Sequence, residues 1–219
     1  MATNLRNKKV LITAGPTWVP IDAIRVISNI STGETGILLA NEAIASGANV
    51  TLLLGPIQGS LAIDKSIKLI KFCFFDELRN QLIKELKTKK YDFVIHAAAV
   101  SDYRLNKIYK NKVSSGLSRF RIELVPNQKL LDLFKKIDRS LKIIAFKFEI
   151  GINKPDLIKK AKELLKRSKA DLVVANTVIK GRYSAYIVSS CNSISKILRS
   201  KRDLTDKLLA KIGGLDEQS

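Results

Sequence analysis

The run from Val10 to Gly36, VLITAGPTWVPIDAIRVISNISTGETG, constrains this chain most. It opens as a short apolar strand and closes as a Gly-rich turn leading into a helix. A turn of that kind lets the backbone approach a ligand, and the helix start behind it favours an anion. The stretch between strand and turn is longer than a simple nucleotide-binding turn needs. It carries Arg25, Ser28 and Asn29. Pro16 and Pro20 stiffen it, and Asp22 is placed to cap a short helical turn. Together these features point to a site that holds an anion and acts on it.

The rest of the chain repeats strand and helix. Lys9–Thr13, Val50–Leu54, Ile67–Phe72, Phe93–Ala97, Ile143–Phe148 and Asp171–Ala175 read as short buried strands. Gly36–Ser46, Asp76–Leu86 (with Asp76 as N-cap), Pro155–Lys166 and Asp203–Ile212 read as helices. Tyr183–Ser189 reads as one more strand. Apolar strands alternating with helices predict an α/β fold: a doubly wound, mostly parallel Rossmann-like sheet with helices on both faces. Phe120–Val125 alternates apolar and polar residues and reads as a half-exposed strand. Before it, Leu105–Ser118 is rich in Lys, Asn, Ser and Gly and reads as a mobile arm or loop. With no repeat or linker, residues 1–219 read as a single domain.

The bulk properties narrow the function. With 46% hydrophobic and 27% charged residues the chain reads as soluble and globular. No apolar run reaches the roughly 18 residues of a membrane span, and no signal peptide is evident. Cys73 and Cys191 form no CxxC pattern and read as reduced structural thiols in a cytoplasmic protein. The net charge of +19 invites a nucleic-acid reading. The lysines, however, are spread along the chain, and the densest cluster, Lys159 to Lys169, has the spacing of a solvated helix face. Attraction of small polyanions such as nucleotides is the more economical use of that field.

Four segments can carry chemistry. Ser31, Gly33 and the turn around them suit a phosphate, although the pattern is not GxGxxG. Strand Val50–Leu54 also ends without the acidic residue that binds a ribose hydroxyl, which weighs against an NAD site. Arg25 suits a carboxylate or phosphate, and the Asn29 amide can stabilise a developing oxyanion; equally, both can simply tie the insert to the sheet. In HAAAVSDYR, Ala97 and Ala98 leave room against the backbone, and Asp102 can bond a ribose or hold Mg²⁺. His96 reads as a satisfied residue at a strand end. Lys112, on the polar arm, is either solvated or able to close on phosphates. In AFKFE, Lys147 and Glu149 fall on one face and Phe146 and Phe148 on the other, and Asn176 ends the next strand nearby.

Taken together, LITAGPT, IDAIRVISNISTGETG, GANVTLLLGP, HAAAVSDYR, Lys112, AFKFE and DLVVAN resemble the phosphopantothenoylcysteine synthetase family, the synthetase half of the bifunctional coenzyme A biosynthesis flavoproteins. The resemblance runs from Val10 to about Asn176. It implies a ligase that activates the carboxylate of 4′-phosphopantothenate as an acyl-nucleotidylate, with CTP or ATP, and couples it to cysteine. On this resemblance Asn29 binds the intermediate and Arg25 belongs to the same motif. Lys112 supports activation from a loop, and Asp102, Ala97, Ala98 and Phe146 line the nucleotide pocket. Gly15, Ser31, Gly33 and Lys147 join the nucleotide set, and Asn176 the substrate set. Mg²⁺ accompanies the triphosphate, with Asp102 as its candidate ligand. The family implies a homodimer with active sites near the interface, and no membrane or nucleic-acid partner.

The sequence departs from the bacterial pattern in places. The loop reads Lys112-Val-Ser-Ser where the bacterial form has KxKK. Asn127-Gln128-Lys129 stands for NPD, and Leu164 and Ser168 stand at expected lysines. FKFE resembles the archaeal and eukaryotic form, and Lys147 can replace a lost phosphate contact. The flavin-dependent half has no room here, so FMN is not expected. Two other classes remain: a Rossmann-type oxidoreductase, and a noncatalytic relative that binds nucleotide or nucleic acid.

Overall fold

Short runs of Val, Ile and Leu that are apolar at every position can be covered on both sides, and here they form the middle of a parallel sheet. The computed structural model describes residues 4–59, 61–88, 90–191 and 193–215. In chain order the elements are β1 (Lys9–Ala14), β2 (Trp18–Pro20), β3 (Val26–Ser28), α1 (Glu34–Ala45), β4 (Asn49–Leu54), β5 (Lys68–Lys71), α2 (Phe75–Thr88) and β6 (Phe93–His96). There follow β7 (Tyr103–Leu105), β8 (Leu124–Pro126), α3 (Leu131–Ile137), β9 (Lys142–Ile150), α4 (Lys154–Ser168), β10 (Leu172–Ile179), β11 (Arg182–Ser189) and α5 (Lys201–Gly213).

The main sheet has the order β11-β10-β9-β6-β1-β4-β5. Every neighbouring pair is parallel except β10 and β11. From β1 the chain winds first towards β4 and β5, then returns to the other side through β6, β9 and β10. The carboxyl ends of β1 and β6 therefore flank the switch point, where open α/β sheets bind their ligands.

Alternation along each strand divides the core. Val10, Ile12 and Ala14 of β1 face α1 and α5, while Leu11 faces the layer of α2, α3 and α4. Phe134 of α3, Leu82 of α2 and Leu157 of α4 are almost fully buried in that second layer. On the first side α1 lies very close to β1: a Cβ added at Gly36 would stand 2.4 Å from the Cβ of Ala14. Only glycine fits there, and the contact fixes the height at which the start of α1 meets the sheet.

Four local readings change. The insert holds a hairpin, β2 paired with β3, and Asp22 sits in its turn rather than at a helical cap. Asp76 lies inside α2; the cap is Glu77, whose carboxylate accepts from the N–H groups of Cys73 and Phe74 at 2.7 and 3.2 Å. The half-exposed strand at Phe120–Val125 shrinks to β8, paired with β7. Helix α3 was not foreseen, because seven residues carry too little periodicity to stand out.

At an ordinary helical position Gly→Ala would stabilise by about 1 kcal/mol. Gly36→Ala is expected instead to destabilise by about 2 kcal/mol, through overpacking against Ala14. Denaturant unfolding checks the sign, and a more stable variant would refute the close contact.

Candidate active site

The floor of the cleft is a seam between the chain leaving β1 and the chain leaving β6. Ala97 N–H donates to Thr13 O at 3.1 Å, Ala99 N–H to Gly15 O at 2.9 Å and Thr17 N–H to Ala99 O at 3.3 Å. The Thr13 hydroxyl accepts from Ala98 N–H at 3.2 Å, so its proton is free for Nδ1 of His96, 2.8 Å away. His96 is buried edge-on against Phe134, and burial pushes its pKa down to about 4. It is a neutral structural residue that holds the alanine loop in place. Further along, Ser101 N–H donates to the Thr17 hydroxyl at 2.9 Å, and the buried Asn127 carboxamide donates to Ser101 O at 2.9 Å.

Two adjoining cavities open above this seam. One, of about 530 Å³, lies between the start of α1 and the outer ends of β9, β10 and β11. Ser31, Gly33 and Gly36 form one wall, Ala97 and Ala98 the floor, and Phe146, Asn176 and Tyr183 the far side. Gly33 is the N-cap of α1 in the left-handed region (φ 69°) and offers no capping side chain; of the first helical N–H groups only that of Glu34 reaches a hydroxyl, that of Thr32, at 3.4 Å. The first N–H groups of α1 can therefore receive an anion. Glu34 is the acid of that turn, and Lys201 of α5 neutralises it in a close ion pair.

The second cavity, of about 560 Å³, shares Ala98, Asp102, Phe146 and Lys147 with the first and extends towards α4. It is ringed by cations that carboxylates hold in place. Glu149 pairs with Lys147 and Lys160, both at 2.9 Å, and Asp102 pairs with Lys129 at 2.5 Å. The hydrogen bonds from Lys160 and Lys147 hold the Glu149 carboxyl below its ordinary value. Arg167 adds a further cation at the rim.

The sequence-predicted residues divide between these places. Ser31, Gly33, Ala97, Ala98, Asp102, Phe146, Lys147 and Asn176 line the first cavity together. Gly15 lies beneath it, its N atom 3.4 Å from where a Gly33 Cβ would stand. Asn29 is exposed at the seam, where its amide donates to Ala99 O at 3.0 Å. Arg25 and Lys112 line neither cavity. Arg25 bonds Asp22 at 3.0 Å and Val113 O at 3.1 Å. Tyr183, Lys201, Lys160 and Arg167 escaped sequence reasoning because no motif surrounds them. The fold alone brings them in from β11, α5 and α4.

Asp22 organises the insert and the arm together. Its carboxylate accepts from the N–H groups of Ile24 and Arg25 at 3.0 and 2.9 Å, from Arg25 Nη1, and from Val113 N–H at 3.0 Å. With Tyr109 N–H donating to Ile21 O at 3.0 Å, the middle of the polar arm is fastened to the hairpin. Lys112 is exposed beside that fastening.

The fold is a doubly wound α/β domain with a cleft at the switch point of its sheet. The chain belongs to the DNA/pantothenate metabolism flavoprotein C-terminal domain family, whose model matches residues 5–214. It is 34% identical over 212 residues to the coenzyme A biosynthesis bifunctional protein CoaBC of Thermococcus kodakarensis, covering 95% of this chain and 52% of that protein. It is 36% identical over 175 residues to the CoaBC of Borreliella burgdorferi, covering 78% and 43%. The chain thus spans about half the length of the curated relatives it matches. Its fold matches the crystal structure of the C-terminal domain of a CoaBC with a TM-score of 0.82 at 23% identity, all of both chains being covered. It also matches a DNA/pantothenate metabolism flavoprotein from Streptococcus pneumoniae with a TM-score of 0.84 at 23% identity, covering 95% and 99%.

The Asp22 fastening gives a pH prediction. The Ile24 N–H, then those of Val113 and Arg25 and the Arg25 charge, hold this carboxyl below its ordinary value against the opposing effect of burial. A depressed carboxyl contributes stability above its unfolded pKa of about 3.9, and that contribution is lost as pH falls through the folded value. Between about pH 5 and about pH 2 the wild type should lose more stability than Asp22→Asn. Superimposable acid-unfolding curves would show that the fastening carries no such linkage.

Proposed function

We propose that this domain is a phosphopantothenate–cysteine ligase that uses a nucleoside triphosphate. The observation that carries the reading is the meeting, at one switch point, of the uncapped start of α1, the alanine loop and Asn29. A triphosphate laid from the aromatic side chains of β9 towards α1 places its phosphates at the helix start. The carboxylate of 4′-phosphopantothenate then attacks the α-phosphorus and pyrophosphate leaves. The cysteine amine attacks the acyl carbon next, and the nucleoside monophosphate departs with the carboxylate oxygen. A free carboxylate is a poor acyl donor to an amine, which is why activation must come first. On this reading the Asn29 amide, which donates to a carbonyl at the seam, donates to the oxyanion of the second step.

The ring of Lys129, Lys147, Lys160 and Arg167 supplies charge for the phosphates where this chain lacks the bacterial lysines. Asp102 fits Mg²⁺, which would neutralise triphosphate charge: its carboxylate is largely exposed, and a hard cation held mainly by phosphates and water needs only one or two carboxylates. Among the described residues no group of three or more His, Cys, Asp or Glu side chains forms a fuller metal site. No helix among them is long and apolar enough to cross a membrane.

The hairpin and arm supply the grounds for a homodimer. Ile24, Val26 and Ile30 of the insert, Leu117 of the arm, and Phe120 and Ile122 just after it are exposed. Such a concentration of apolar side chains marks an association surface. Arg25 and Lys112 lie in the same segments, so a dimer formed there would carry them to the partner's cleft.

Incubation with 4′-phosphopantothenate, cysteine, Mg²⁺ and either CTP or ATP is expected to give the amide product and one pyrophosphate per turnover with at least one nucleotide. A folded protein that makes no product with either would contradict the ligase reading. Lys112→Gln and Asn29→Ala should each be inactive as homodimers, yet co-expressed chains should recover activity through mixed dimers. Failure of that complementation would contradict the delivery of Lys112 to the partner's cleft.

A further inference from the structure

His96 is the last residue of β6 and the only histidine of the chain. Alternation along the strand turns it, with Val94, towards the layer of α2, α3 and α4. Its ring stands edge-on to Phe134 of α3, the centroids 5.4 Å apart, and lines the second cavity. The residue is only 8% exposed.

One ring nitrogen is committed to the fold. Nδ1 lies 2.8 Å from the Thr13 hydroxyl, which is buried and already accepts from Ala98 N–H. If Nδ1 carried the ring proton, that hydroxyl would meet two donors and its own proton would have no acceptor, a state that buried polar groups avoid. The hydroxyl therefore donates to Nδ1, and the ring proton sits on Nε2. Burial keeps the ring neutral, its pKa pushed down to about 4. Nε2 has no hydrogen-bond partner among the described residues, yet it is not one of the polar atoms sealed away without one. Its open side is the cavity that the ring lines.

The surroundings of that donor suit one part of a nucleotide. Ala98, Val100, Leu130, Leu131 and Leu164 share the cavity with His96. Leu130 and Leu164 are buried, whereas the ammonium-bearing Lys129, Lys147 and Lys160 are partly exposed and held by carboxylates. A phosphate finds its charge partners among those lysines. A flat ring with an acceptor on its edge finds apolar walls and a single uncharged donor at the buried end.

Building on the nucleotide reading above, we propose that His96 is a base-contact residue, its Nε2–H donating to an acceptor on the edge of the nucleotide's base. Cytosine and adenine both carry such acceptors, so the contact anchors the base without choosing between CTP and ATP. One side of the imidazole thus holds the alanine loop, and the other holds the ligand that the loop faces.

A single histidine makes the test direct. Protein labelled with ¹⁵N in histidine alone gives two imidazole nitrogen resonances, and calorimetry alongside establishes which ligands bind. Without ligand, Nε2 should be the protonated nitrogen. Saturating CTP or ATP should shift Nε2 and its proton and leave Nδ1 nearly unmoved. Inorganic tripolyphosphate and 4′-phosphopantothenate, which lack a base, should move neither. His96→Phe should weaken the nucleotide by about fivefold and leave tripolyphosphate affinity unchanged. A proton found on Nδ1, a nucleotide that binds without moving Nε2, or an equal shift with tripolyphosphate or 4′-phosphopantothenate overturns the assignment alone. So does a His96→Phe variant that loses nucleotide and tripolyphosphate affinity equally, which makes His96 purely structural. A wild type that binds neither CTP nor ATP overturns it together with the nucleotide reading.

Discussion

The contact between Gly36 and Ala14 fixes the geometry on which the cleft depends. With no Cβ on the glycine, α1 lies against β1 more closely than any other residue would allow. That approach sets the first N–H groups of the helix level with the alanine loop after β6. Gly33 then turns the chain into the helix through the left-handed region, and the one side-chain contact to the helix's first N–H groups is the long bond from Glu34 N–H to the Thr32 hydroxyl at 3.4 Å. From the other side the Thr13 hydroxyl holds the alanine loop by accepting from Ala98 N–H, and the buried His96 ring bonds the same hydroxyl. The result is a backbone-lined cradle in which side chains need only select and orient.

The charges around this cradle show how a basic protein keeps its cations ordered. Lys147 and Lys160 share Glu149, Lys129 rests on Asp102, and Lys201 rests on Glu34. These pairs are partly exposed, so each adds little to stability. Their effect is positional: each carboxylate parks a cation at the cavity rim, from which a polyphosphate can draw it. The field of a chain with net charge +19 adds long-range attraction for the same ligands.

Much of this was legible in the sequence, and the reasons differ by element. Strands such as β4 and β10, buried at nearly every position, announce themselves because a run apolar on both faces has few other places to go. The phosphate-type turn was visible because glycines and small polar residues meet the start of an apolar helix. The hairpin was hidden because β2 and β3 are three residues each, and Asp22 suits a hairpin turn as well as a helical cap. The arm read as unattached because its anchor, Val113, contributes only backbone groups to Asp22 and Arg25. Tyr183 and Lys160 carry no local pattern, and only the register of β11 and the packing of α4 place them in the site.

The chemistry turns on which phosphorus the carboxylate attacks, and oxygen transfer reports it directly. With 4′-phosphopantothenate labelled with ¹⁸O in its carboxylate, one turnover in the presence of cysteine should deliver a single labelled oxygen to the nucleoside monophosphate. Inorganic phosphate should carry none. Label in inorganic phosphate and not in the nucleotide would mean activation as an acyl phosphate, and would contradict the account of the cleft given above.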